Sequence, residues 1–282
     1  MPLAQFVATP RLLLVAVLAP ATAAFMPPSP ASAQAQASSP PLWALHATLK
    51  SKTWVDLTHS FDTSTPHWKG FTPMTRKTTY TVKKDGFWVE AITHVTQWGT
   101  HVDVPAHFHE RKRTTSDIPV TEMLMPLVVL DVHEQVAKNP DYTVTVADVQ
   151  AWESRHGTIP AGAFVALRTD WARRWPDQAK MQNVDTKGVA HYPGWSMDVL
   201  KLLYEQRKIT ASGHETTDTD PGSLTSKEQY PLETWLLGTD HYQIELLDNL
   251  DKVPEAGALV SVTWPKLQKG PGFPARVFAV LP

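Results

Sequence analysis

Residues 97–107 read Gln97-Trp98-Gly99-Thr100-His101-Val102-Asp103-Val104-Pro105-Ala106-His107. His101 and Asp103 are two residues apart, so both side chains point to one face of an extended segment. An imidazole nitrogen beside a carboxylate oxygen suits a divalent ion such as Zn²⁺ or Mn²⁺. Gly99 allows a tight turn that brings the amide oxygen of Gln97 to the same point. We therefore predict a metal site in this stretch.

His107 is the second imidazole of the stretch and follows Pro105, which stiffens the backbone. A histidine that lies near a metal without binding it can shuttle protons for a metal-activated water. We predict this role for His107. The alternative is a set of histidines with satisfied hydrogen bonds, and a lone His-x-Asp would favour it. The whole stretch 97–107 is more specific for a metal site than a lone His-x-Asp, because it adds a glycine, a proline and a second histidine.

The composition fits a soluble globular protein, because 42% of the 282 residues are hydrophobic and 19% are charged. A formal net charge of −2 provides no strong field, so nucleic acid and membrane are not predicted as partners. The absence of cysteine excludes disulfides and zinc–thiolate sites. Twelve histidines remain as nitrogen ligands.

The N-terminal region has the features of a secretory signal peptide. Arg11 precedes an apolar run at 12–19, and Ala31-Ser32-Ala33 fits the small-x-small cleavage pattern. The run is too short to span a bilayer, which disfavours a membrane anchor. We predict a signal peptide over 1–33, a secreted or periplasmic location, a flexible stretch over 34–45 and a single domain over 46–282.

Alternating and fully apolar runs indicate many strands with helices irregularly placed between them. We predict strands at 54–61, 79–82, 88–95, 127–132, 163–167, 242–247, 258–264 and 275–281, and helices at 146–156, 197–207 and 231–237. Thr145 and Ser196 are the expected helix caps, and Asp85-Gly86 marks a hairpin. This pattern predicts one α/β domain with a mixed sheet. No glycine-rich phosphate loop follows a strand, so nucleotide binding is unsupported.

A polar stretch, Gly213–Asp220, follows an apparent strand at 209–211. Its nitrogen and oxygen donors suit the rim of a site, where His214 would contact substrate or metal. The alternative is a polar loop whose Asp and Thr side chains cap their own backbone. The residues alone leave both interpretations open.

The central stretch resembles the cyclase family of metal-dependent hydrolases, which includes bacterial kynurenine formamidases and isatin hydrolases. The family pattern is His-x-Gly-Thr-His-x-Asp-x-Pro-x-His, and all its named positions except the first are matched by residues 99–107. Asp56-Leu57-Thr58-His59, Pro66-His67-Trp68 and Glu245-Leu246-Leu247-Asp248-Asn249-Leu250 resemble further family elements. The resemblance runs from Trp54 to the C-terminus.

This resemblance implies a swivelling β/β/α fold, one or two divalent ions (Mn²⁺ or Zn²⁺), a small-molecule substrate and assembly as a homo-oligomer. It implies that His101, Asp103 and Glu245 bind metal and that His107 gives and takes protons. Trp68 would line the substrate pocket. The family also has a polar, Asp-containing loop at the position of Gly213–Asp220, which favours a substrate contact for His214.

The sequence departs from the family at two ligand positions. Gln97 replaces the first histidine, and a neutral amide oxygen favours a harder ion such as Mn²⁺. A late histidine that precedes the glutamate by twelve residues in dinuclear members is Glu233 here, and His241 is out of register. A second ion would need Asp103, Glu245 and Glu233, so we favour one ion over two.

The reaction implied is hydrolysis of the C–N bond in a small aryl formamide or cyclic amide. N-formylkynurenine, an intermediate of tryptophan breakdown to kynurenine, and isatin-like rings are the substrates implied. Opening of a lactone by the same chemistry is an alternative, because export is unusual for tryptophan catabolism. A periplasmic binding protein without catalysis is a second alternative, which the Gln97 replacement favours.

Overall fold

The computed structural model describes residues 41–282, so the predicted signal peptide and residues 34–40 lie outside the described residues. The strands are β1 (Trp54–Asp56), β2 (Thr75–Tyr80), β3 (Val89–Thr93), β4 (His101–Asp103), β5 (Leu124–Asp131), β6 (Phe164–Arg168), β7 (Ala211–His214), β8 (Tyr242–Glu245), β9 (Ala258–Thr263), β10 (Gly272–Pro274) and β11 (Arg276–Val280). The helices are α1 (Leu42–Lys50), α2 (Val82–Asp85), α3 (His133–Lys138), α4 (Val146–His156), α5 (Gln178–Gln182), α6 (Met197–Lys201), α7 (Gly222–Thr225) and α8 (Pro231–Gly238).

Within residues 41–282, nine strands form one mixed sheet in the order β1-β11-β9-β5-β6-β7-β8-β4-β10. Strands β5 to β8 run parallel, and antiparallel strands extend the sheet on both sides. Val102 of β4, Val129 of β5 and Val277 of β11 share one core cluster although they lie on distant strands. The sheet therefore curls around this core. The predicted single α/β domain with a mixed sheet is confirmed.

The other face of the sheet carries the helices. Alternate residues of β5 divide between the two faces, with Val128 and Leu130 packing on the helical side. Trp152 of α4, Leu200 of α6 and Leu236 of α8 belong to the same cluster. In the described part of the chain, no helix combines the length and apolarity required to cross a membrane.

Helix α4 has the predicted bounds. The Thr145 hydroxyl accepts a hydrogen bond from the Asp148 backbone N–H at 3.3 Å, and the Asp148 carboxylate accepts one from the Thr145 N–H at 2.8 Å. This reciprocal pair is a capping box, and Gly157 follows the last turn. Both ends of this helix depend on residues that are close to them in sequence. The sequence alone was therefore enough to predict its bounds.

Three elements differ from the predictions. Residues 82–85 form a helical turn, because Thr81 caps the Lys84 N–H and Asp85 accepts from the Thr81 N–H. The hairpin of β2 and β3 therefore has a longer connection than an Asp-Gly turn. The predicted helix at 197–207 is α-helical only in α6 and continues as a π-helix over Leu202–Arg207. The Ser196 hydroxyl donates to the Val144 carbonyl, so it does not cap the N-terminus of α6. Helix α1 was not predicted.

Candidate active site

The site is built on the antiparallel pairing of β4 with β8. His101 lies opposite Glu245, and Asp103 lies opposite Gln243. Side chains that are paired across strands, or two residues apart along one strand, share a face of the sheet. This register places the four side chains together as a buried group.

His101 presents its Nε2 atom to two carboxylates. Its Nδ1 lies 2.8 Å from the Gly99 carbonyl oxygen and so carries a proton. Nε2 then lies 3.3 Å from Asp103 Oδ2 and 3.5 Å from Glu245 Oε2. Burial opposes the charged form of His101, yet the Asp103 charge and the hydrogen bonds raise its pKa overall. The imidazole is therefore fixed with Nε2 directed at the acids.

Asp103 joins two potential ligand groups. One consists of His101, Asp103 and Glu245, and the other consists of Asp103, His107 and Glu233. Burial alone would raise the pKa of Asp103, but His101 and His107 lower it to about 2. The carboxylate is therefore ionised and available to a cation.

Helix α8 brings Glu233 to the same place. Pro231 starts the helix, and Asp220 accepts hydrogen bonds from the N–H groups of Leu232 and Glu233 at 2.9 and 3.0 Å. Burial and the charge of Asp103 raise the pKa values of both Glu233 and Glu245. Packing several acids together in a buried space is unfavourable unless a proton or a cation compensates.

His107 lies at the boundary between the acids and the cavity. A short 3₁₀ turn, Pro105–His107, follows β4 and aims the imidazole at the acids. Its Nε2 is 3.8 Å from Asp103 Oδ1, and its side chain is 27% exposed. The Gln97 Nε2 lies 3.5 Å from His107 Nδ1, and the Gln97 Oε1 accepts from the Thr96 hydroxyl. These contacts place Gln97 beside His107, and its role as a ligand stays a prediction.

A cavity of about 430 Å³ opens above the acids. Imidazoles and acids line it, namely His101, Asp103, His107, Glu233 and Glu245. Aromatic rings line it as well, namely Trp68, Phe71, Phe108 and Tyr230. Trp68 lines this cavity, and its predicted contact with substrate stays a prediction. A volume of this size suits a small organic molecule.

His214 does not reach this cavity, in contrast to the predicted substrate contact. Strand β7 includes His214 and lies between β6 and β8, so the side chain is only 1% exposed. Its Nδ1 accepts from the Trp195 indole N–H, and its Nε2 lies 3.3 Å from Glu245 Oε1. Burial lowers the pKa of His214 to about 3, so the ring is neutral. It therefore contacts Glu245 without lining the cavity.

Sequence reasoning missed Gln243, although its spacing of two from Glu245 on a predicted strand was a usable signal. Asp218 also lines the cavity, and the Tyr192 hydroxyl donates to its carboxylate at 2.6 Å. In the sequence, Asp218 is one member of the polar stretch Gly213–Asp220, with no signal that sets it apart. The aromatic residues Phe71, Phe108 and Tyr230 had no local pattern that linked them to the site.

The residues fit a divalent cation. The Asp103 Oδ1 atom is buried and has no hydrogen-bond partner among the described residues. Asp103 also belongs to both groups of potential ligands, together with imidazole nitrogens and other carboxylate oxygens. Such a mixed nitrogen and oxygen set suits Zn²⁺ or Mn²⁺.

Gly99 is required by the turn before β4. Its φ is 63°, and a Cβ atom there would lie 2.9 Å from Phe61 Cβ. We expect Gly99→Ala to lower the free energy of unfolding by about 1–2 kcal/mol for the left-handed backbone, with a further loss from the Phe61 contact. Denaturant unfolding of Gly99→Ala measures the sum of these two losses.

Gly86→Ala is the matched control, because φ is 82° there and no described atom lies within 4 Å of the added Cβ. It should show only the backbone cost. Equal losses in the two variants would contradict a role for the Phe61 contact.

Comparison with known proteins places the chain in a family. The family model described as "Putative cyclase" matches residues 55–221. An isatin hydrolase of Roseibium aggregatum is 34% identical over 189 residues, which cover 65% of this chain and 71% of that protein. A kynurenine formamidase of Geobacillus thermodenitrificans is 31% identical over 78 residues, which cover 27% of this chain and 37% of that protein.

Solved structures agree with this placement. Isatin hydrolase A from Ralstonia solanacearum has a TM-score of 0.80 and 32% identity, with 88% of this chain and 100% of that chain covered. An isatin hydrolase bound to the product analogue thioisatinate has a TM-score of 0.79 and 29% identity, with 86% of this chain and 97% of that chain covered. The chain belongs to the cyclase family, and the predicted family fold is confirmed.

Proposed function

We propose that this protein is a metal-dependent hydrolase that cleaves the C–N bond of a small aryl formamide or cyclic amide. The observation that carries the proposal is the lining of the cavity, which combines imidazoles and acids with aromatic rings. The aromatic rings suit a flat substrate ring, and the polar groups suit a reacting carbonyl.

Within this class we favour an isatin-type cyclic amide. The isatin hydrolase match covers 65% of this chain, whereas the kynurenine formamidase match covers 27%. Trp68, Phe71, Phe108 and Tyr230 would contact the aromatic ring of the substrate. A role in tryptophan breakdown would require hydrolysis of N-formylkynurenine as well.

His101, Asp103 and Glu245 would hold the divalent ion, and Asp103, His107 and Glu233 are candidates for a second one. When bound, the ion would polarise the substrate carbonyl and increase the acidity of water. The many carboxylate oxygens favour Mn²⁺ over Zn²⁺. Gln97 is proposed as a further ligand through its amide oxygen, and its Nε2 lies beside the His107 ring.

His107 would accept a proton from the attacking water and return it to the leaving nitrogen. Its partial exposure gives it access to the cavity, and Asp103 supplies a counter-charge for the imidazolium form. Asp103, Glu233 and Glu245 also line the cavity, but their side chains are less exposed than that of His107. His107 is therefore the group best placed to move protons between substrate and solvent.

A substrate panel tests this function. Protein loaded with Mn²⁺ should hydrolyse isatins fastest, N-formylkynurenine more slowly or not at all, and lose activity after chelation. Fastest turnover of lactones would favour the ring-ester alternative. A full complement of bound ion without turnover of any compound would favour a binding protein.

We also propose that the protein is exported and that it forms a homo-oligomer with no nucleic-acid or membrane partner. The apolar run at 12–19 and the small-x-small motif at 31–33 support export. N-terminal sequencing of the protein from a periplasmic fraction would test the cleavage. A mass by light scattering equal to one chain would contradict the oligomer.

A further inference from the structure

Gln243 contacts the three central carboxylates through one nitrogen atom. Its Nε2 lies 3.1 Å from Glu245 Oε1, 3.2 Å from Glu233 Oε1 and 3.5 Å from Asp103 Oδ2. These acids come from β8, α8 and β4, so one amide links three separate elements. The Gln243 side chain is fully buried, and water therefore does not compete for these contacts.

The orientation of the amide is fixed by Thr219. The Thr219 hydroxyl donates to the Gln243 Oε1, so the amide NH₂ group faces the acids. An NH₂ group has only two hydrogens, so it shares them among three acceptors. Thr219 is itself buried.

We propose that Gln243 is a positioning residue that holds Asp103, Glu233 and Glu245 in one array and thereby sets the affinity of the site for a divalent cation. This inference rests on the proposed function because it assumes that the site binds an ion. It concerns the binding of the ion and does not depend on which compound is hydrolysed.

The physical reason is the orientation of the acids. Without a shared donor, the three carboxyl groups can rotate and share protons with one another instead of facing one point. An arriving ion would then have to reorder them, and this cost weakens its binding. Partners that orient metal ligands typically contribute about 10- to 100-fold to metal affinity or activity.

Gln243→Leu tests the proposal, because leucine fills similar space without a donor. Calorimetric titration with Mn²⁺ should give a Kd about 10- to 100-fold higher than that of the unaltered protein. Tyr242→Phe is the matched control on the same strand, since Tyr242 packs in the core on the opposite face. It should leave the Kd unchanged. Thermal unfolding without added ion would verify that both variants are folded.

Thr219→Val provides a second, milder test that keeps Gln243 in place. It should raise the Kd in the same direction by a smaller factor and have no further effect in the Gln243→Leu background. An unaltered Kd in folded Gln243→Leu, or additive effects of the two substitutions, would overturn the proposal. An unaltered protein that binds Mn²⁺ yet hydrolyses no compound of the panel would contradict the proposed function alone.

Discussion

Replacing His107 by alanine is expected to lower kcat by about 10²- to 10⁴-fold while the divalent ion stays bound. His107 is the imidazole that faces the cavity, and its Nε2 is 3.8 Å from Asp103 Oδ1. Alanine removes the group that would move the proton but leaves the buried ligands His101, Asp103 and Glu245 intact. Elemental analysis and steady-state kinetics of the same sample would measure both quantities.

His109→Ala is the matched control for this experiment. His109 follows in the same segment, and its ring contacts the Thr234 carbonyl outside the cavity. The control should retain the unaltered rate. Loss of the ion together with the rate in His107→Ala would reassign His107 as a ligand, in agreement with the group Asp103, His107 and Glu233.

Asp103→Asn should have the largest effect on ion binding. Asp103 belongs to both potential ligand groups, and its carboxylate is ionised because the neighbouring imidazoles lower its pKa to about 2. The amide keeps the shape but removes the charge. We expect the Kd for Mn²⁺ to rise more than about 100-fold, beyond the range for residues that only orient ligands, with a parallel loss of activity.

The exposed residue Asp198 on α6 provides a control of the same chemistry. Asp198→Asn should bind Mn²⁺ as tightly as the unaltered protein. Retention of tight Mn²⁺ binding in Asp103→Asn would mean that this carboxylate does not bind the ion. The ion site would then have to be assigned to other residues.

The sequence predicted the parts of the site that depend on local spacing. His101 and Asp103 alternate along one strand, and α4 has both of its end signals. The sequence did not predict the strand register that sets Gln243 opposite Asp103, because that pairing joins positions 140 residues apart. His214 was placed at the rim because polar residues surround it in sequence. The strand instead continues through His214 between two neighbours, which buries its ring.

The pairing of β4 with β8 also has a consequence for the order of events during folding. Residues up to Leu237 include all of β4 and the whole stretch 97–107, yet they lack both Gln243 and Glu245. Contacts between distant positions form late, because closing a long loop has an entropic cost. Tight ion binding should therefore appear only after β8 has docked on β4. In refolding experiments, ion uptake would report completion of the sheet and not the collapse that precedes it.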